Sequence, residues 1–565
     1  LSGTAVSAVS LYVISQSLRL DVPRSVPFIY ALLVMVSVGG LRFIARSIFR
    51  WEKTRLKSPV LIYGAGSAGR QLRMSLQFGS EYDPVVFVDD SPDLQGCEVG
   101  GIPVHSPENL EHLIEAYGIQ AILLAIPSAT RTERNAILNR LTPLPVSVQT
   151  IPGIADLVSG REKTTQLREV SVEDLLGRDP VQPRIDLLDR NIRDKVVLVT
   201  GAGGSIGSEL CRQTLAQKPR ALILYEISEF ALYSIDQDLR RIAQEKSLDA
   251  TSVALLGSVR DGARLSGILR CYGVQTIYHA AAYKHVPLVE DNVVEGIENN
   301  VFGTRRVLEE AIAAGVESFI MISTDKAVRP TNIMGATKRM AELICQAQAH
   351  RQSAMLISMV RFGNVLGSSG SVITLFRRQI ERGGPITVTH PDITRYFMTI
   401  PEAAQLVIQA GGMARGGEVF VLDMGEPGKI LDLAKRMARL SGLKAIVIDS
   451  SRQPTTSEQQ CDIEIIITQL RPGEKLYEEL LIDECSICTD HPRILAASET
   501  YLLWEELERL LDDLERACTD FSIADIRRLL ESAPIGYAPA SEIVERVWCS
   551  SNTSSSAAEL IVAEA

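Results

Sequence analysis

Residues 1–18 are apolar and small, and residues 26–41, V-P-F-I-Y-A-L-L-V-M-V-S-V-G-G-L, form a second apolar run without a charge. Each run is near the minimum length for crossing a bilayer. Arg42, Arg46, Arg50, Lys53, Arg55 and Lys57 follow the second. The pattern predicts transmembrane segments over 1–50, with the following domains on the positively flanked, cytoplasmic side. Because the chain opens at Leu1 inside apolar sequence, it reads as a fragment or a processed form.

Beyond Lys57 the apolar residues come in short runs separated by helix-period stretches. The runs P-V-L-I-Y at 59–63, V-V-F-V-D-D at 85–90 and I-Q-A-I-L-L-A-I at 119–126 read as buried strands of a small parallel α/β domain over 58–150. Residues 151–190 carry Pro and charge without a clear period and read as a connector. A second alternation follows, with strands expected at 195–200, 221–226, 252–256, 275–280, 318–323 and 354–361. A helix is expected at 401–413, a strand at 417–423 and amphipathic helices at 429–441 and 500–517. The Ser- and Ala-rich end reads as a loose tail. The fold class is α/β: two Rossmann-like, doubly wound parallel-sheet domains behind transmembrane helices. The larger domain spans 191–480, and a helical extension and tail take 481–565.

At 565 residues the chain is too long for one core. Its 46% hydrophobic and 22% charged content excludes a disordered chain. A net charge of −11 argues against nucleic acid as a partner. Nine scattered Cys suit a reducing compartment. Cys485 and Cys488 form a lone C-x-x-C with no second ligand pair, so no metal site is expected.

Two glycine motifs sit between a strand and a helix. Gly64, Gly66 and Gly69 form G-x-G-x-x-G, and Asp89 ends the next strand at the spacing of a ribose-binding carboxylate. No catalytic residues follow, so ligand binding and a purely structural role weigh equally here. Residues 200–207, T-G-A-G-G-S-I-G, give the T-G-x-x-G-x-x-G form through Gly201, Gly204, Ser205, Ile206 and Gly207. Glycines let backbone approach a pyrophosphate, which then sits on the positive end of the following helix. Glu226 ends the next strand, where a carboxylate binds ribose hydroxyls and repels a 2′-phosphate. That favours NAD, while Arg240 and Arg241 keep NADP open. Asp261 is within reach of an adenine, and small Ala280, Ala281 and Ala282 would let a cofactor pass close to the backbone.

With these residues the chain resembles the extended short-chain dehydrogenase/reductase family. Four segments narrow the resemblance: S-T-D-K-A-V-R-P-T-N-I-M-G-A-T-K at 323–338, V-R-F-G-N-V-L-G-S-S-G-S-V at 360–372, T-H-P-D-I-T-R-Y-F-M at 389–398 and L-R-P-G-E-K-L at 470–476. They resemble the membrane-linked nucleotide-sugar 4,6-dehydratases of bacterial capsule, O-antigen and glycan pathways, of the UDP-N-acetylglucosamine type. The resemblance implies a UDP-sugar substrate, a homo-oligomer, and an inner-membrane enzyme with cytoplasmic catalytic domains.

The family's usual Tyr-x-x-x-Lys appears here as Met334 and Lys338, on one helical face. Met has no proton to exchange, and the resembled subfamily carries the same Met. By resemblance, Lys326 removes the C5 proton, Asp325 protonates the departing C6 hydroxyl, Thr324 hydrogen-bonds the C4 oxygen, and Lys338 holds the nicotinamide ribose. A lysine serves as a base only if desolvated or placed near another cation, for which Lys338 is the expected neighbour. The resemblance also points to Arg361 and Asn364 as nucleotide-sugar contacts. Arg395 and Arg471 offer charge-assisted donors to a diphosphate, Glu474 an acceptor for the uridine ribose, and Lys284 and His285 a lining for the sugar pocket. The alternatives are a nucleotide-sugar epimerase and a non-catalytic membrane sensor of nucleotide.

Overall fold

The computed structural model describes residues 57–151, 168–169, 181–449, 462–480 and 486–552 apart from isolated positions, with scattered positions before 57. Among the described residues no helix is long and apolar enough to cross a membrane. The expected spans over 1–50 fall largely outside the described residues, as do the tail beyond 552 and most of the connector over 151–190.

The chain divides into two compact units. The first carries a seven-stranded sheet in the order Glu98–Val99, Ile102–His105, Tyr82–Val88, Ser58–Tyr63, Ala121–Leu124, Ser147–Thr150, Arg168–Glu169. The five inner strands are parallel, and the short outermost ones run antiparallel. Gly64 and Gly66 turn the chain from Ser58–Tyr63 into the helix Ser67–Phe78, with Gly69 inside that helix. Asp89 follows the neighbouring strand, and its carboxylate spans the glycine turn and the next loop: Oδ2 accepts from Ala65 N at 2.7 Å and Oδ1 from Ser91 N at 2.9 Å.

The second unit is built on a nine-stranded sheet. Its order is Thr251–Leu256, Ala221–Glu226, Val196–Thr200, Thr276–His279, Ser318–Ile322, Leu356–Arg361, Val419–Leu422, Ile494–Ala497, Ser486–Cys488. The first seven strands are parallel. Side-chain alternation builds two cores, one on each face. Val196, Leu198, Ile223, Ile277, Phe319 and Met359 enter one, and Val197, Val199, Leu222, Leu224, Ile320 and Val360 the other. Strand order reverses between Val196–Thr200 and Thr276–His279, which opens a crevice at their carboxyl ends.

The helix Ile333–Arg351 is buried on all sides from Ile333 to Gln348. Asn332 starts it by accepting from Gly335 N at 2.8 Å. A helix without a solvent face needs cover opposite the sheet. The amphipathic helix Trp504–Thr519 supplies it through Trp504, Leu507, Leu511 and Leu514. The expected boundary at 480/481 is therefore not a boundary in the fold. Strands Ser486–Cys488 and Ile494–Ala497 extend the main sheet antiparallel, and the helices after them complete one core.

Small sheets stand beside the crevice. Asn364–Leu366 pairs with Phe397–Thr399, Thr394–Arg395 with Gly428–Lys429, and Ile386–Val388 and Ala445–Asp449 flank Ile463–Ile467.

Candidate active site

Two adjoining cavities open at the crevice. The smaller, 270 Å³, is lined by Gly201, Gly203, Gly204, Glu226, Gly257 and Ala280–Ala282, among others. The larger, 890 Å³, continues from Gly204, Ser205, Ile206 and Gly207 past Thr324, Lys326, Met334 and Lys338. Gly204, Ala280, Ala282 and Tyr283 line both.

The glycine loop is built for close approach. Gly201 has φ +64°, and a Cβ there would lie 2.7 Å from Ala281 N. A Cβ on Gly207 would fall 2.0 Å from Gly201 O. Helix Ser205–Ala216 begins at Gly204 with no side-chain cap, so its leading N–H groups face the cavity as anion donors. Glu226 is nearly buried on the smaller cavity. Its Oε2 accepts from Gly203 N at 2.9 Å and its Oε1 from Ile227 N and Ser228 N at 3.0 Å each. These residues fit a dinucleotide: diphosphate on the helix end, ribose hydroxyls toward Glu226. Asp261 is a correction. It is exposed and caps the helix Gly262–Tyr272 by accepting from Arg264 N at 3.0 Å, and it lines neither cavity. Gly257, Ser258 and Val259 line the smaller cavity instead.

Thr324 follows the strand Ser318–Ile322, and a single 3-10 turn, Asp325–Ala327, brings the next side chains together. Thr324 Oγ1 donates to Asp325 Oδ1 at 2.7 Å. Lys326 Nζ lies 3.1 Å from Asp325 Oδ1, 2.9 Å from Glu478 Oε1 and 3.3 Å from Asn364 Oδ1. Burial disfavours the Lys326 charge, but Asp325 and Glu478 outweigh it and raise the ammonium above its usual pKa. The expected cationic neighbour is therefore a correction: two carboxylates, not Lys338, set the state of Lys326. Burial and the Glu478 carboxylate raise the Asp325 carboxyl well above its ordinary range. Glu478 moves the other way. Its own burial opposes its charge, but Lys326, Asp325 and Arg395 hold it low.

Lys338 Nζ donates to Ile322 O at 2.7 Å. Burial brings its pKa down to about 8, against the opposing pull of Glu342. Met334 sits one turn earlier on the same helix, buried against the larger cavity. Under the glycine loop, buried His279 links Thr200 and Thr304, and burial holds it neutral.

The larger cavity also collects Lys284, His285, Asn364, Arg395, Arg471 and Glu474. Asn364 Nδ2 is buried there without a partner among the described residues, a donor left for a ligand acceptor. Arg395 reaches Glu474 Oε1 and Glu478 Oε1, both at 3.1 Å, so the chain's own carboxylates already engage this guanidinium. Arg471 is exposed at the rim. Arg361 is the third correction. It is fully buried, lines neither cavity and is held by Glu342 and Glu499. The residue missed is Glu478. It lies just beyond L-R-P-G-E-K-L, and no spacing in the sequence connects it with Lys326.

Residues 197–499 match the family described as "Polysaccharide biosynthesis protein", and residues 1–152 one described as "CoA-binding domain". The chain is 42% identical over 494 residues to "Capsular polysaccharide biosynthesis protein CapD" of Staphylococcus aureus, covering 86% of this chain and 80% of that one. It is 41% identical over 507 residues to "Probable polysaccharide biosynthesis protein EpsC" of Bacillus subtilis (strain 168), covering 89% and 81%. A "UDP-glucose 4-epimerase" of Rickettsia prowazekii (strain Madrid E) is 33% identical over 294 residues, covering 52% of this chain and 79% of the other.

Proposed function

The chain belongs to the polysaccharide biosynthesis protein family, and from that premise we propose that it is an NAD(H)-dependent 4,6-dehydratase of a UDP-N-acetylhexosamine, UDP-N-acetylglucosamine first. The observation that carries this reading is one cavity lined by the glycine loop, Thr324, Lys326 and Lys338, with Met at position 334.

Bound at the glycine loop, a nicotinamide dinucleotide supplies the hydride acceptor and donor that 4,6-dehydration needs. Lys338 orients its ribose, and in the neutral form that its pKa of about 8 allows it accepts the C4 hydroxyl proton as C4 becomes a ketone. Thr324 hydrogen-bonds the C4 oxygen. Once C4 is a ketone the C5 proton is acidic, and Lys326 takes it while Asp325 gives its proton to the departing C6 hydroxyl, releasing water. The raised carboxyl of Asp325 suits an acid. Lys326 is an ammonium while Asp325 and Glu478 hold it, so its proton has to leave, and the sugar has to displace those contacts, before it accepts another.

The epimerase among the relatives gives the second reading. An epimerase returns hydride to C4 and is expected to keep Tyr at position 334, where the resembled dehydratases carry Met as this chain does. Incubating the full chain with UDP-N-acetylglucosamine and NAD, followed by mass spectrometry, separates the two. Dehydration gives a product lighter by one water. An isomer of unchanged mass would establish epimerisation, and untouched substrate would reject both.

A further inference from the structure

Three carboxyl groups meet two cations beside Lys326. Glu474 and Glu478 both engage Arg395, and Glu478 and Asp325 both engage Lys326. Asp325 Oδ1 receives Thr324 and Lys326, and Glu478 Oε1 receives Lys326 and Arg395. The remaining oxygens, Asp325 Oδ2 and Glu478 Oε2, are buried and receive no donor among the described residues. Two buried, donorless carboxylate oxygens are costly, and like charges at one site resist joint ionisation. A single proton between them satisfies both.

We propose that Glu478 is a positioning residue that shares one proton with Asp325 and keeps it on Asp325, so that the acid of the elimination is loaded before substrate arrives. The acid role rests on the dehydratase reading; the shared proton does not. The proton sits on Asp325 because Glu478 has two cations to stabilise its charge and Asp325 has one. The directions in which the two carboxyls shift agree with this assignment. The other charged groups facing the pair are Lys475, whose Nζ donates to Val328 O at 2.8 Å, and beyond it Glu479 and Arg329. During elimination the Asp325 proton leaves with the C6 hydroxyl as water. The two carboxylates that remain both lie near Lys326, which gains the C5 proton in the same event, so the net charge of the cluster is unchanged.

The test uses the full chain and Glu478→Gln, which keeps the size and removes the charge. Activity that needs protonated Asp325 falls as pH rises through its pKa. Without the Glu478 charge that pKa drops, so the alkaline limb of the kcat profile should move to lower pH by about one unit or more. Glu478→Asp keeps the carboxylate and should keep the limb near the parent's position. A merely structural role would lower kcat at every pH and leave the limb in place, and that result would overturn the proposal. Infrared difference spectroscopy gives a readout independent of turnover. The parent at neutral pH should show a buried protonated carboxyl band that Asp325→Asn and Glu478→Gln each remove. A parent without that band overturns the shared proton. A parent with the band that converts no UDP-sugar rejects the dehydratase reading alone. Were Glu478→Gln unable to fold, the parent band and its loss in Asp325→Asn would still decide.

Discussion

Arg361 closes on Glu342 with two arms of its guanidinium: Nε donates to Oε1 at 2.7 Å and Nη2 to Oε2 at 2.5 Å. Arg339 and Glu499 complete a buried network of two cations and two carboxylates. Ser323 donates to Glu342 at 2.6 Å, so the network also anchors the strand end that carries Thr324. It therefore joins the helix bearing Met334 and Lys338 to the strand ending at Arg361 and to the returning C-terminal segment.

Arg361→Met should accordingly act on stability. Removing one partner of a buried ion pair leaves an uncompensated charge, at a cost of about 3–5 kcal/mol. Chemical denaturation should show that loss, and Arg361→Lys should not restore it, because an ammonium cannot reproduce the two-armed contact. A variant of parental stability with selectively weaker nucleotide-sugar binding would return Arg361 to the ligand.

Lys326→Met removes the proposed base and both of its ion pairs. Elimination should fall by about 10²–10⁴-fold, the span of a positioned acid–base group. Cofactor should still bind, since the glycine loop is untouched. Deuterium from solvent should enter C5 of the product with the parent enzyme and be undetectable with the variant. Parental turnover by Lys326→Met would remove it from the chemistry.

The strands of the larger sheet were legible because a strand buried on both faces reads as a continuous apolar run. Val196–Thr200 and Ala221–Glu226 lie where their runs predict, and the glycine loop lies between them. The segment bearing Thr324 and Lys326 was legible by motif. Arg361 and Asp261 were misread for different reasons. A guanidinium inside a motif looks the same whether it meets a diphosphate or two buried carboxylates, and an Asp before a helix serves equally as a cap or a ligand. Glu478 was invisible because its meaning lies in contacts with residues distant in sequence. The place of 486–530 in the catalytic core was hidden too: the need to cover helix Ile333–Arg351 appears only once that helix is seen buried all round.

Met334 tests whether the missing phenol matters. The side chain is buried and lines the cavity one turn before Lys338. Met334→Leu is close to volume-conserving and should cost less than about 1.5 kcal/mol of stability. Most activity should survive, because the thioether has no proton to give. Met334→Tyr should also be tolerated. An inactive but well-folded Met334→Leu would assign the sulfur a role that this mechanism lacks.

Gly207 and Glu226 separate the shape of the dinucleotide cradle from its selectivity. A Cβ at Gly207 would meet Gly201 O at 2.0 Å, so Gly207→Ala must displace loop backbone. NAD and NADP should weaken together, because both carry the diphosphate that the loop receives. Glu226 has two duties. Its carboxylate accepts from Gly203, Ile227 and Ser228 N–H groups, which braces the loop for either cofactor. In the proposed complex it also accepts from the adenosine ribose hydroxyls and repels a 2′-phosphate. Glu226→Ala loses the brace for both cofactors, but loses the hydroxyl contact only for NAD and relieves the repulsion only for NADP. Calorimetric titration should therefore show the NAD-to-NADP preference falling in Glu226→Ala and unchanged in Gly207→Ala. Equal weakening of both cofactors in Glu226→Ala would leave Glu226 as a loop brace alone, and the preference for NAD would then have to come from elsewhere in the smaller cavity.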